Sequence, residues 1–294
     1  MTVPDSKSPD VPTAFVFAGG GSLGAIQVGM LSALVAEDHI PDFVVGSSVG
    51  AINAVFFATN PNLEGVERLR SVWLRLRRRD VFPVTPLRAF AASVSNRLSL
   101  VSPSSLHRLL KREIRLPSIQ SSPLGIHIVA TRMLDGTETV FSTGDVISPL
   151  MASLAIPGVF PPVEIDGLSY IDGGVASNTP IAPAIRLGAR RVVVLPTGSP
   201  CSAEQPPKGA LGVAIHALNL LVMRQLLHDL QYYEDQVELI VVPPLCPLEY
   251  RIHDFSHTAE LMQLAEDSTR SWLATYGFGP HGIPHEMKPH VHRH

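Results

Sequence analysis

Two long uncharged passages near the start of the chain constrain its fold more than any other feature. Residues 11–36 and residues 43–63 contain no ionisable side chain. Each is long enough to cross a membrane, yet each is broken by glycine: Gly19-Gly20-Gly21 in the first, Gly46-Ser47-Ser48-Val49-Gly50 in the second. A buried strand, a glycine turn and a buried helix account for both better than a spanning helix does. Thr13–Ala18 and Phe43–Val45 are short runs rich in β-branched and aromatic residues. Gly24–Ala36 then places Ile26, Met30, Leu31 and Leu34 at helical spacing, and Val49–Ala58 forms a second helix. Strand–turn–helix twice within about 45 residues is the α/β pattern and implies parallel pairing.

The same rhythm continues. Strands are expected at 125–130, 139–142, 191–195 and 239–242, and helices at 146–154, 181–187, 209–230 and 258–276. The expectation is a single three-layer α/β/α domain over a mostly parallel sheet, its main part at 13–200 and completed by 201–279. Residues 1–12 read as a flexible lead-in. The tail, 280–294, holds five of the twelve histidines and three prolines and is expected to be disordered. Two stretches depart from the pattern. One is the Pro/Ser loop 196–208. The other, 68–115, is basic, with Arg75, Arg77, Arg78 and Arg79 close together and prolines at 83, 86 and 103. Within it, Val72, Trp73, Leu74 and Leu76 interleave with Arg70 and the arginines just named. That arrangement reads either as a peripheral contact of residues 70–82 with anionic lipid or as a solvated helix face.

Composition excludes several function classes. The 294 residues are 45% hydrophobic and 17% charged, with mean hydropathy +0.21, too apolar for a disordered chain. Lys+Arg at 23 against Asp+Glu at 26 gives −3, which offers no basic surplus for nucleic acid. Two cysteines, Cys201 and Cys246, are too few for a disulfide framework or a cysteine-based zinc site. The opening MTVPDSKSPD lacks the cationic and apolar regions of an export signal, so a cytoplasmic location is expected. No cofactor and no catalytic metal are expected.

Three motifs carry chemistry. Gly46-Ser47-Ser48-Val49-Gly50 matches G-x-S-x-G between a strand and a helix, the context that exposes the central serine on a strained corner. The helix start beside it offers unpaired amides and positive dipole to an oxyanion. The bland alternative is a tight Gly/Ser corner and nothing more. Gly19-Gly20-Gly21-Ser22-Leu23-Gly24 has the G-x-G-x-x-G spacing, and its bare amides suit an anion. A dinucleotide fingerprint would need an acidic residue at the far end of the next strand; Asp42 has the count but precedes that strand. Asp172-Gly173-Gly174 follows Tyr170-Ile171 and, taken alone, is a turn. A histidine base is not evident, because none of His39, His107, His127, His216, His228, His253 and His257 sits in a glycine-rich turn after a strand.

In combination and in this order, the three motifs resemble the patatin-like phospholipase family, its bacterial branch most of all. Ser153-Leu154-Ala155-Ile156-Pro157-Gly158-Val159-Phe160-Pro161-Pro162 and Asn178-Thr179-Pro180 are similar to family segments around the aspartate. The resemblance covers about residues 13–200 and implies a patatin-like fold. It also implies a Ser–Asp dyad without histidine, in which Ser48 is nucleophile and Asp172 is base. The amides of the Gly19, Gly20, Gly21, Ser22 and Gly24 loop would form the oxyanion hole, and Gly46 and Gly50 the nucleophile elbow. The implied substrate is a lipid or phospholipid ester, cleaved without a cofactor through an acyl-serine. The alternative within the family is a catalytically weak lipid-binding or regulatory protein. Many members carry Arg or Lys just before the last glycine of the first motif, where this chain has Leu23.

Overall fold

The computed structural model describes residues 11–82, 101–198, 209–248, 250 and 252–288. The strands are β1 (Thr13–Phe17), β2 (Phe43–Ser47), β3 (Gly125–Arg132), β4 (Glu138–Phe141), β5 (Val163–Ile165), β6 (Leu168–Asp172), β7 (Arg191–Leu195) and β8 (Glu238–Val241). The α-helices are α1 (Gly24–Ala36), α2 (Val49–Thr59), α3 (Leu63–Arg75), α4 (Arg78–Val81), α5 (Ser104–Glu113), α6 (Ile147–Ser153), α7 (Gly174–Ser177), α8 (Ile181–Arg186), α9 (Ala210–Tyr233) and α10 (Thr258–Tyr276).

One mixed sheet runs in the order β5-β6-β3-β2-β1-β7-β8, with β4 also on β3. The five strands from β3 to β8 are parallel, and β4, β5 and β6 form its antiparallel flank. Successive residues of β1 point to opposite faces. Phe15 and Phe17 enter one cluster, with α1, α2, α3, α5 and α10, while Ala14 and Val16 enter the other, with α8 and α9. Apolar demand on both faces is why this strand reads as an unbroken apolar run. The three-layer α/β/α arrangement is therefore the one the sequence predicts.

Helix α1 explains the first uncharged passage. Twelve of its thirteen residues are buried, because it lies between the sheet and α10. The two helices approach so closely that a methyl group on Gly29 would lie 2.2 Å from the Met262 carbonyl oxygen. A helix covered on both sides needs no polar face.

Three regions differ from expectation. Where it is described, the basic stretch is largely helical: it contains the second half of α3, then α4, and, past residues 83–100, which lie outside the described residues, α5. Val66, Leu69, Val72 and Trp73 form the inward stripe of α3, and the arginines between them hide it. The antiparallel pair β5–β6 was not legible beyond Tyr170-Ile171. The tail keeps structure past residue 280, with a short 3₁₀ turn at His285–Met287 and Met287 buried in the α8/α9 cluster. Residues 1–10 of the lead-in, prolines 83 and 86, Cys201 and the rest of 199–208, and tail residues 289–294 lie outside the described residues.

Candidate active site

Serine 48 stands between β2 and α2 with φ 53° and ψ −130°. Only glycine adopts such a backbone without strain, and a serine held there costs about 1–3 kcal/mol. The corner is enforced by close packing: a methyl group on Gly50 would lie 2.3 Å from the Phe17 carbonyl oxygen. One on Gly46 would meet the Ala51 Cα at 2.6 Å.

The sheet register brings the aspartate to this corner. On β3, Val129 pairs with Ser47 of β2, and the next residue, Ala130, pairs with Asp172 of β6. Two strand ends 124 residues apart are thereby set side by side, and Ser48 Oγ donates to Asp172 Oδ2 at 2.8 Å. The other carboxylate oxygen, Oδ1, accepts from the Gly174 amide at 2.7 Å. Thr131 Oγ1 donates to the Asp172 carbonyl at 2.8 Å and accepts from the Ala176 amide at 3.1 Å, which fixes the Asp-Gly-Gly turn.

Ser48 is 7% exposed and Asp172 6% exposed. Burial pushes the Asp172 carboxyl up to about 6, against the opposing effect of hydrogen bonds from Gly174 and Ser48. No cation and no histidine partners this carboxylate among the described residues. His127 instead bonds Ser142 Oγ at 2.7 Å and meets the Phe43 ring edge-on, and His228 lies beside Asp229.

The glycine loop is held against the same corner. A methyl group on Gly19 would sit 3.1 Å from Ser48 Cβ and 2.4 Å from Asn178 Oδ1. The sequence nominated Gly19, Gly20, Gly21, Ser22 and Gly24 together, and the structure separates them. The Gly19 amide donates to the Asn178 carbonyl at 3.0 Å, and the Ser22 amide to the Ile252 carbonyl at 2.8 Å. The Gly24 amide closes the 3₁₀ turn onto Gly21 and Ser22. Among the described residues, the Gly20 and Gly21 amides alone are left uncommitted in this loop. Gly21 has φ +60° and faces the Ile252 carbonyl, so only glycine fits there. Leu23 is fully buried.

Sequence reasoning did not single out four residues. Ser153 Oγ accepts from the Ser48 amide at 2.8 Å and donates to the Val129 carbonyl at 2.6 Å. It lies in the Pro-Phe-Pro segment, which is the one signal that pointed to it. Asn178, in the Asn-Thr-Pro segment, donates to the Gly19 carbonyl at 3.3 Å, and Thr197 Oγ1 donates to the same oxygen at 2.8 Å. Gln27 ties Ala18 and Leu195, the ends of β1 and β7, through its side-chain amide. Ser47, next to the elbow serine, is fully buried with no partner for its hydroxyl among the described residues.

An apolar cavity opens on Ser48 and Gly21 and runs between α2, α3 and α5. Ile52, Phe56, Leu69, Trp73, Leu110 and Phe160 line it, with Phe82 against Phe160 and Phe255 against Phe82 and Trp73. Val72 and Trp73 are thus turned inward, and Arg70 is paired with Glu266 and bonded to Ser32. Of the stretch 70–82, what faces outward is Ser71 and Leu74 with Arg75, Arg77, Arg78 and Arg79.

A family profile described as patatin-like phospholipase matches residues 15–185. The chain belongs to the patatin-like phospholipase family. An uncharacterized NTE family protein of Mycobacterium tuberculosis is 30% identical over 190 residues, which cover 64% of this chain and 49% of that protein. Lysophospholipase NTE1 of Lodderomyces elongisporus is 24% identical over 192 residues, 63% of this chain and 12% of that protein. The chain therefore matches about half the length of the first and about an eighth of the second. Among solved structures, VipD from Legionella pneumophila overlays with TM-score 0.47 at 14% identity, covering 92% of this chain and 68% of that one.

Proposed function

We propose that the protein is a lipid acyl hydrolase that works through an acyl intermediate on Ser48, with Asp172 as the only base. The observation that carries this reading is the 2.8 Å hydrogen bond from Ser48 Oγ to a buried carboxylate that has no histidine between them. Asp172 takes the hydroxyl proton as Oγ attacks the ester carbonyl carbon. The carbonyl oxygen becomes an oxyanion and is met by the Gly20 and Gly21 amides. The alcohol departs with the proton from Asp172, and the acyl group remains on Ser48. Water then attacks this ester with Asp172 again as base, releasing the fatty acid and restoring the serine.

An aspartate with an ordinary pKa near 4 accepts a serine proton poorly. Burial raises this one to about 6, which makes it a better base and still leaves it ionised at neutral pH. The remaining barrier falls to positioning and to amides fixed in a dry site. The apolar cavity beside Ser48 suits an acyl chain, and the family supports lipid as substrate. No cofactor or metal has a role in this scheme.

The test is a screen of p-nitrophenyl esters and phospholipid vesicles with wild type and Ser48→Ala. Hydrolysis that falls at least about a thousandfold in the variant is the expected result. Turnover near wild type in Ser48→Ala overturns the assignment. A wild type that binds vesicles without hydrolysing any ester supports the regulatory alternative.

A further inference from the structure

Helix α9 is longer than the sheet it covers. Its 24 residues span about 36 Å, whereas a five-residue strand spans about 17 Å. Chain direction decides where the excess lies. The helix leads into β8, whose first residue, Glu238, bonds Arg190 just before β7, at the edge where the parallel strands begin. Its C-terminal half packs on the sheet, with Leu226 and Leu230 buried against Val192, Val194, Leu239 and Val241. Gln225 donates to the Ala176 carbonyl at 3.0 Å, just past Asp172, and so stands at the edge that carries the site. Met223 still packs against that cluster, so the thirteen helical residues before it rise roughly 20 Å beyond that edge.

This overhang is apolar where it ought to be polar. Residues 209–223 contain no Asp, Glu, Lys or Arg. Val213 is 52% exposed, Leu220 58% and Leu221 65%, with Leu218 and Ala217 exposed beside them. At about 100° per residue these positions spread over roughly 160° of the helix surface. A seam for one partner helix is narrower than that, and no described helix is long and apolar enough to cross a bilayer. An apolar segment exposed over so wide an arc suits immersion at a lipid surface.

The same edge carries positive charge. Helix α2 leaves the Ser48 corner and α3 returns to it, so Leu76, Val81 and Phe82 line the cavity that opens on Ser48. The exposed Arg75, Arg77, Arg78 and Arg79 lie on that returning segment. Charge of that sign complements an anionic headgroup layer.

We infer that the N-terminal half of α9 seats the protein on an anionic phospholipid surface, with the Ser48 edge facing the lipid. The inference rests on the lipid-hydrolase reading for its purpose, but not for its test. Vesicles of phosphatidylcholine with and without phosphatidylglycerol are sedimented with wild type, Leu220→Ser/Leu221→Ser and Ser48→Ala. Hydrolysis is followed in parallel on a soluble short-chain ester and on the vesicles. The double variant removes two exposed leucines that are not among the residues lining the Ser48 cavity. It is expected to bind phosphatidylglycerol vesicles about tenfold more weakly and to lose vesicle hydrolysis in proportion, with soluble-ester turnover unchanged. Ser48→Ala is expected to bind vesicles like wild type. Unchanged binding by the double variant overturns the inference. So does a wild-type dimer that the double variant converts to monomer without altered vesicle binding, since the face then belongs to a second copy. Absence of ester turnover in wild type, with the α9 dependence of binding intact, would overturn the hydrolase reading and leave this one standing.

Discussion

Two buried polar clusters sit within a few residues of each other and solve opposite problems. In the first, Trp73 Nε1 donates to Asn53 Oδ1 at 2.9 Å, and Asn53 Nδ2 donates to Gln27 Oε1 at 2.8 Å and to the Gly24 carbonyl at 2.9 Å. Gln27 in turn reaches the Ala18 and Leu195 carbonyls, both at 2.9 Å. These groups are neutral and their bonds are made within the fold. Such a network fixes how α1, α2 and α3 meet the strand ends. The second cluster has, among the described residues, a buried carboxylate without a cation, a serine at φ 53°, and two amides, of Gly20 and Gly21, without partners. Buried polar groups are normally satisfied and buried charges paired. A fold that satisfies one cluster and leaves the other strained and open suits the reaction proposed at the second.

The largest expected effect separates the two clusters by the sign of their stability change. Asp172→Asn should cut ester turnover at least about a thousandfold, yet raise stability at neutral pH by of order 3 kcal/mol. The folded carboxyl titrates near 6, above its unfolded value of 3.8, so ionisation disfavours the folded state. The penalty is fully present above about pH 6 and disappears as pH falls below the unfolded value. The gain in the variant should follow that course in a thermal-melt series. Asn53→Ala should do the reverse. It strands a Gln27 oxygen, the Trp73 indole N–H and the Gly24 carbonyl, and should cost about 3 kcal/mol by denaturant unfolding. Turnover per folded molecule should remain near wild type. A stability loss in Asp172→Asn, or a turnover loss in folded Asn53→Ala, would break the comparison.

Ser153 tests a finer point, because it acts through the Ser48 backbone. Ser153→Ala should lower kcat about tenfold and leave KM unchanged; a change in KM alone would assign it to substrate binding. The smallest effects lie in the two adjacent serines. Ser48→Gly should be about 1 kcal/mol more stable than Ser48→Ala, since glycine accepts the positive φ. Ser47→Ala should stay within about 0.5 kcal/mol of wild type or gain slightly, because its hydroxyl is buried without a partner among the described residues.

What the sequence disclosed follows the range over which each signal acts. The β1–α1 and β2–α2 corners were legible because an apolar run, a glycine turn and a helical period lie within a few residues of one another. Ser48 and Asp172 were legible as motifs, while their contact depends on Val129 and Ala130 being neighbours on a third strand. Of the nominated amides, Gly24 is taken by a local turn, but Gly19 and Ser22 are taken by the Asn178 and Ile252 carbonyls, far away in sequence. Helix α3 was obscured because its buried stripe is thin and arginines crowd the surface around it. The strands β5 and β6 are short and largely half-exposed, so no alternation marks them. Gln27 and Asn53 look like ordinary polar residues in apolar helices until their partners are seen.

The central claim is that Asp172 alone activates Ser48. Its most direct test is the rate at which a fluorophosphonate labels the wild-type protein as a function of pH, with the modified peptide identified. Labelling is expected on Ser48 at a rate that rises with pH through a midpoint near 6 and falls by orders of magnitude in Asp172→Asn, while His127→Ala and His228→Ala label like wild type. Labelling of another serine, or an undiminished rate on Ser48 in Asp172→Asn, would contradict it.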